Sequence, residues 1–237
     1  MKATALLSTI PAAALLLAAP QAAQAASVTM MVAGKERVLR SAEPVRLADT
    51  RRVKVGSRRC TVSGKTPLGV LAATSLSIKL RDYGSCGRRP ADAASLFVTR
   101  IGSERNRGQD GWVYKVGRKV SSAGAGDRSG RRLRGGDRLL WFYCRAQRTG
   151  GCQRTLEAEP DRTTAAPGEA VRVTVRGYDD QGRGIAVEGA TVTLGSATAT
   201  TDASGVAQVV VPAAGRLRIG ATRSGMVPAF PGVVRAG

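Results

Sequence analysis

Residues 135–144 read GGDRLLWFYC, and three of the nine aromatic residues in the chain stand side by side there. Gly136-Asp137 is a turn signal, and the apolar run after it predicts a closing strand buried on both faces at its middle. Just upstream, GWVYKVGRK (111–119) alternates. Trp112, Tyr114 and Val116 point one way, Val113 and Lys115 the other. Two such strands supply the large side chains that a small core needs. The competing reading is an aromatic ligand face, for which Trp112 and Tyr143 are the candidates.

Working further outward, SVTMMVAG (27–34) and RVLRSAEPVRL (37–47) look like a strand pair. In TPLGVLAATSL (66–76), Thr66 can cap a helix, Pro67 suits its first turn, and Leu68, Leu71 and Ala72 share one face. SIKLRDYGSC (77–86) and SLFVTRIGS (95–103) read as further strands, and SSAGAGDRSGRRLRGGD (121–137) as a Gly- and Ser-rich loop. Two strands, one helix, then three or more strands predict an α+β, β-grasp-like domain. Beyond it, EAVRVTVRGYD (169–179) alternates Val171, Val173 and Val175 inward with Arg172, Thr174 and Arg176 outward. Short strands separated by DDQGRG, DASG and AAG follow, the pattern of an all-β sandwich. Tyr178 and Phe230 are the aromatic bulk available to its core.

Charge divides the chain at the same place. Residues 26–154 hold 28 Lys and Arg against 9 Asp and Glu, whereas residues 155–237 hold 8 against 8. The reading is therefore a leader over 1–25, a basic domain over 27–154 and a sandwich over 155–237. The leader has Lys2, an Ala/Leu-rich stretch and Ala23-Gln24-Ala25 before a cut after Ala25, the layout of a secretory signal peptide. Pro11 and Pro20 interrupt that stretch, which is short for a bilayer span. No membrane span is expected in the mature chain, which would be released or held at the cell surface by binding.

All four cysteines fall in the basic domain. Behind a signal peptide they suggest two disulfides, and sequence alone permits three pairings. Cys144–Cys152 is favoured because Gly150-Gly151 lets the intervening segment turn back. Cys60–Cys86 is then the second bridge. No CxxC pair and no histidine are present, so zinc finds poor ligands and no metal or cofactor is expected.

Residues 28–144 resemble the transcobalamin C-terminal-like domain, a small secreted β-grasp-like domain. The likeness rests on an ordered set of segments. TPLGVLAAT is similar to its helix start, SLFVTRIG to its strand before an Ile-Gly turn, GWVYKVGRK to its Trp-rich strand and LRGGDRLLWFYC to its closing strand. One departure is Gly117-Arg118, where the family often has Asn-Gly. In animal cobalamin carriers the equivalent domain covers one side of the corrin ring together with a helical domain. This chain has no such domain, so cobalamin binding does not follow. TTDASGVAQVVVPAAGRLRIGATRSG (200–225) resembles bacterial Ig-like or carboxypeptidase-regulatory-like modules, which mostly serve as spacers or adhesion units.

Catalysis is hard to build here. Without histidine, the usual general base near neutral pH is missing. Asp82, Asp110, Asp127 and Asp137 sit in turn-like contexts without forming a pair, and GAGDRSG lacks the Gly-Lys-Ser/Thr end of a phosphate loop. The expectation is a non-enzymatic binding protein. Its basic clusters, Arg58-Arg59, Arg88-Arg89, Arg105 with Arg107, Arg118-Lys119 and Arg131-Arg132 with Arg134, would contact an anionic cell-wall polymer or polysaccharide. The foremost contact residues are Arg131, Arg132, Arg134, Arg118 and Lys119. No basic helix or RNP-like strand is present, so specific nucleic-acid recognition is not expected. The bland alternative is coding bias, since 30 Arg stand against 7 Lys. A second functional alternative is a small-molecule groove beside Trp112 and Trp141.

Overall fold

A computed structural model of the chain describes residues 26–128 and 132–237. The leader over 1–25 and the candidate contact residue Arg131 lie outside the described residues.

β1 (Ser27–Ala33) and β2 (Val38–Arg46) form the expected antiparallel hairpin. A second hairpin follows that the sequence reading lacks, β3 (Thr50–Val55) and β4 (Arg58–Ser63). Helix α1 (Pro67–Leu71) is a short one. Thr66 Oγ1 accepts the Gly69 N–H at 3.2 Å, and Pro67 occupies the first turn, where no backbone donor is needed. Then come β5 (Ile78–Asp82), β6 (Leu96–Ile101), β7 (Glu104–Arg105), β8 (Gly111–Val116), β9 (Lys119–Val120) and β10 (Arg138–Cys144).

The main sheet has the order β2-β1-β10-β8-β9, with β1 and β10 parallel at its centre. β5-β6-β7 form a separate sheet, as do β3-β4. The turn that launches β10 is the one the sequence marks. Gly136 has φ 85°, a left-handed conformation open to glycine, and the Asp137 carboxylate accepts the Arg134 N–H at 2.8 Å.

The question of the aromatics resolves by sheet face. Trp112, Tyr114, Trp141 and Tyr143 lie on one face and pack with Leu68, Leu71, Val62 and Ile101. Their polar tips are all bonded. Trp112 Nε1 donates to Glu104 O at 3.0 Å, Tyr114 Oη to Ala123 O at 2.7 Å, Trp141 Nε1 to Pro67 O at 3.4 Å and Tyr143 Oη to Arg105 O at 2.9 Å. Phe142 points to the opposite face, with Met31, Ala33 and Leu140. Each of the four Trp and Tyr rings thus gives its area to a core and its tip to a backbone carbonyl. Disulfides join Cys60 to Cys86 and Cys144 to Cys152.

Nine strands follow. They are β11 (Thr155–Pro160), β12 (Thr164–Ala165), β13 (Ala170–Tyr178), β14 (Gly184–Ala186), β15 (Thr191–Leu194), β16 (Ala197–Thr200), β17 (Val206–Val210), β18 (Gly215–Thr222) and β19 (Gly232–Ala236). One sheet joins β11, β13, β14 and β17, and the other has the order β12-β19-β18-β15-β16. Val171, Val173 and Val175 face inward as the alternation predicts, against Val192, Leu194, Ile219 and Val234. The protein is accordingly mostly β, and this half is an all-β sandwich.

Tyr178 and Phe230 do not fill that sandwich. Its core is aliphatic throughout. Phe230 instead joins Val227 against Met31, Leu140 and Phe142 on the outer face of the main sheet. Tyr178, the last residue of β13, lies under the Arg118 guanidinium, 4.5 Å from its ring centre. The reason is geometric. The main sheet is apolar on both faces, so its second face must be covered, and Val227 and Phe230 cover it.

Candidate functional site

Lys115 is the residue whose surroundings the sequence does not show. Alternation placed it opposite the aromatic core, but that side of β8 is covered and Lys115 is fully buried. Its ammonium donates to Asp179 O at 2.9 Å, Thr155 Oγ1 at 3.1 Å and Tyr178 O at 3.2 Å, all beyond residue 154. Asp180 Oδ1 lies 4.0 Å away. Burial pushes the Lys115 ammonium down to about 8, while Asp180 and Asp179 pull the other way. A lysine with every proton donated and a carboxylate beside it is a bolt between the main sheet and the strands beyond residue 154.

Arg118 is engaged in the same seam. Its guanidinium pairs with Glu157 at 2.8 Å and with Glu159, while stacking over Tyr178. The hydrogen bond that Arg118 donates to Glu157 holds its pKa above the usual value. Arg118 therefore ties the turn after β8 to β11, and its guanidinium is half-exposed while it does so. Lys119 is exposed, at the start of β9. Arg132 and Arg134 are exposed too, flanking Leu133, which is buried and bonded through its N–H to Lys65 O at 2.9 Å.

Trp112 and Tyr143 do not form an exposed ligand face. They are 4% and 1% exposed and meet edge to face, with centroids 5.6 Å apart. Trp112 and Trp141 do reach the floor of a cavity of about 470 Å³ between β6 and β8, beside the exposed rings of Tyr83 and Phe97.

Asp82 is structural. Its carboxylate accepts from Ser95 Oγ at 2.7 Å, Cys86 N at 2.9 Å and Gly84 N at 3.0 Å. These bonds, chiefly the one from Ser95 and with Arg58 alongside, lower its pKa to about 2. Among the described residues, no cluster of His, Cys, Asp and Glu could hold a metal ion, and no helix is long and apolar enough to cross a membrane.

The β3–β4 hairpin carries the basic feature that the linear reading could not assemble. Val53, Val55, Cys60 and Val62 face the core, so Arg52, Lys54 and Arg59 face solvent. In the ladder Lys54 stands directly opposite Arg59. Thr61 N donates to Gly87 O at 2.8 Å, which brings the exposed Arg88 alongside β4, and the Cys60–Cys86 bridge fixes that approach. None of these four basic side chains has an acidic partner among the described residues. The sequence showed Arg58-Arg59 and Arg88-Arg89 as separate clusters, and it showed no hairpin to join them. Within them Arg58 pairs with Asp82 and Arg89 with Asp92.

No family model matches the chain, and no curated protein matches it.

Proposed function

We propose that this is a secreted, non-catalytic binding protein whose disulfide-braced basic domain contacts an anionic envelope polymer, a phosphate-bearing wall polymer or an acidic polysaccharide. The observation that carries the reading is the rung Lys54–Arg59. Like charges directly opposite on a sheet destabilise it, and Arg52 on the same face adds to the repulsion. A polyanion laid along the hairpin would relieve that repulsion. Guanidinium groups match carboxylate, sulfate and phosphate oxygens with paired donors. Coding bias does not account for the pattern, because the sandwich uses Arg without any Lys and still balances 8 basic against 8 acidic residues.

The finer assignments belong to the same reading. The parallel β1–β10 pair beside a single helix supports a β-grasp-like domain of the transcobalamin C-terminal-like kind. Two facing sheets of short strands support an Ig-like module that presents it. The leader pattern and two disulfides support secretion.

The test is retention on immobilised dextran sulfate and on isolated cell wall across a salt gradient. We expect binding at low salt and release as the screening length contracts toward about 3 Å near 1 M. Arg52→Ser with Lys54→Ser and Arg59→Ser should elute well before the charge-matched variant Arg131→Ser with Arg132→Ser and Arg134→Ser. Equal shifts would reduce the effect to net charge, and no retention would end the proposal.

A further inference from the structure

The aromatic residues that escape burial gather at one place. Tyr83 is 66% and Phe97 45% exposed, and their rings meet edge to face at 6.2 Å. Arg81 stands opposite Phe97 across β5–β6, and its guanidinium lies 4.9 Å from the Tyr83 ring centre. Arg81 and Phe97 share one face of the small sheet as cross-strand partners, and Tyr83, just past the end of β5, lies against both.

Tyr83 and Phe97 line the cavity of about 470 Å³, whose floor includes Trp112, Tyr114 and Trp141, and Arg81 stands just outside it against the Tyr83 ring. β6 and β8 run past it without joining in one sheet. Asn106 bridges them at one end, donating from Nδ2 to Val98 O at 3.0 Å and accepting the Trp112 N–H at 3.1 Å. The loop over 121–125 forms another wall, held tight to its neighbour. A Cβ at Gly124 would stand 2.8 Å from Ala94 O.

The chemistry of the floor is constrained. Trp112 Nε1, Tyr114 Oη and Trp141 Nε1 are each bonded to a backbone carbonyl of the protein itself. The rings therefore offer a ligand carbon surface and no free donor. Next to the lining residue Tyr83 stands the guanidinium of Arg81, which has no acidic partner among the described residues. A space of this size with an apolar floor, exposed aromatic edges and one cation falls within the range of small-molecule sites.

We propose that this groove binds a flat, largely apolar small molecule carrying an acidic group, with its rings against Phe97 and Tyr83 and its acid at Arg81. The site is separate from the basic hairpin and does not depend on polymer binding.

The test uses two fluorescent probes on the purified protein, the anionic 8-anilinonaphthalene-1-sulfonate and the neutral N-phenyl-1-naphthylamine. Near-UV circular dichroism verifies that each variant is folded. Both probes should bind, and Phe97→Ser and Tyr83→Ser should each weaken both by about threefold to tenfold, the worth of one aromatic contact. Arg81→Gln should weaken the sulfonate alone. The hairpin variant Arg52→Ser with Lys54→Ser and Arg59→Ser should leave both affinities unchanged. No probe binding, or full affinity in both aromatic variants, overturns the site. An unselective Arg81→Gln overturns the acidic group, and loss of the sulfonate in the hairpin variant assigns the binding to the basic face instead.

Discussion

Lys115 of β8 and Asp180 of the loop after β13 meet between the main sheet and the sandwich strands, with Nζ 4.0 Å from a carboxylate oxygen. The other carboxylate oxygen of Asp180 accepts the N–H of Cys152 at 2.9 Å, so the pair also touches the short disulfide loop. Lys115→Met would fill the volume but strand the carboxylate and three acceptors. Breaking a buried pair in this way costs about 3–5 kcal/mol. Denaturant unfolding followed by Trp fluorescence should show the loss. Asp180→Asn, which keeps an acceptor for Cys152, should recover part of it in the double variant.

The same lysine predicts a pH dependence. Its folded value of about 8 lies below the ordinary 10.5, so above pH 8 the unfolded chain holds the proton more tightly. Stability should therefore rise with pH from about 8, at no more than about 1.4 kcal/mol per unit. The useful window closes near pH 10. Burial holds Tyr114 and Tyr178 above their usual value, so their ionisation favours the unfolded chain from there on. The rise should be absent in Lys115→Met, as measured by urea midpoints at pH 8 and pH 9.5.

Arg118 should behave differently, because its ion pairs are partly open to water. Arg118→Ala is expected to cost about 1 kcal/mol or less. It should also leave polymer retention close to that of the parent protein, since the guanidinium already serves Glu157 and Glu159. A large loss of retention in this variant would place Arg118 on the contact surface.

At the acid end, Asp82 predicts the same sign in a different window, with stability rising as pH climbs from about 2 to about 4. Its pKa is about 2 in the folded protein against an ordinary 3.8, so its contribution is present above about pH 4 and is lost as pH falls through 2. Asp82→Asn should flatten this part of the acid unfolding curve, read by circular dichroism.

Much of the architecture was legible because it rests on local patterns. The β1–β2 pair, the Thr66-capped helix, the Gly136-Asp137 turn and the inward valines of β13 each follow from alternation or cap chemistry. What escaped depends on contacts between distant segments. Lys115 alternates like any solvent-facing residue, and only a covering domain makes it a core residue. Tyr178 and Phe230 looked like sandwich filling because nothing local shows that the main sheet needs a second cover. The β3–β4 hairpin hid behind its charge, although the apolar alternation Val53, Val55, Cys60, Val62 around Gly56 was there to find it.

Lys54→Glu puts a carboxylate opposite Arg59 and tests the central claim in a single substitution. Two readouts are compared, the urea midpoint and the salt concentration that elutes the protein from dextran sulfate, with Lys79→Glu as the charge-matched control. A basic rung held for a polyanion predicts that Lys54→Glu gains about 0.2–1 kcal/mol of stability from the new cross-strand pair. It also predicts elution at clearly lower salt than Lys79→Glu. Elution unchanged, or shifted no further than by Lys79→Glu, would contradict the assignment of the hairpin as the polymer-binding face.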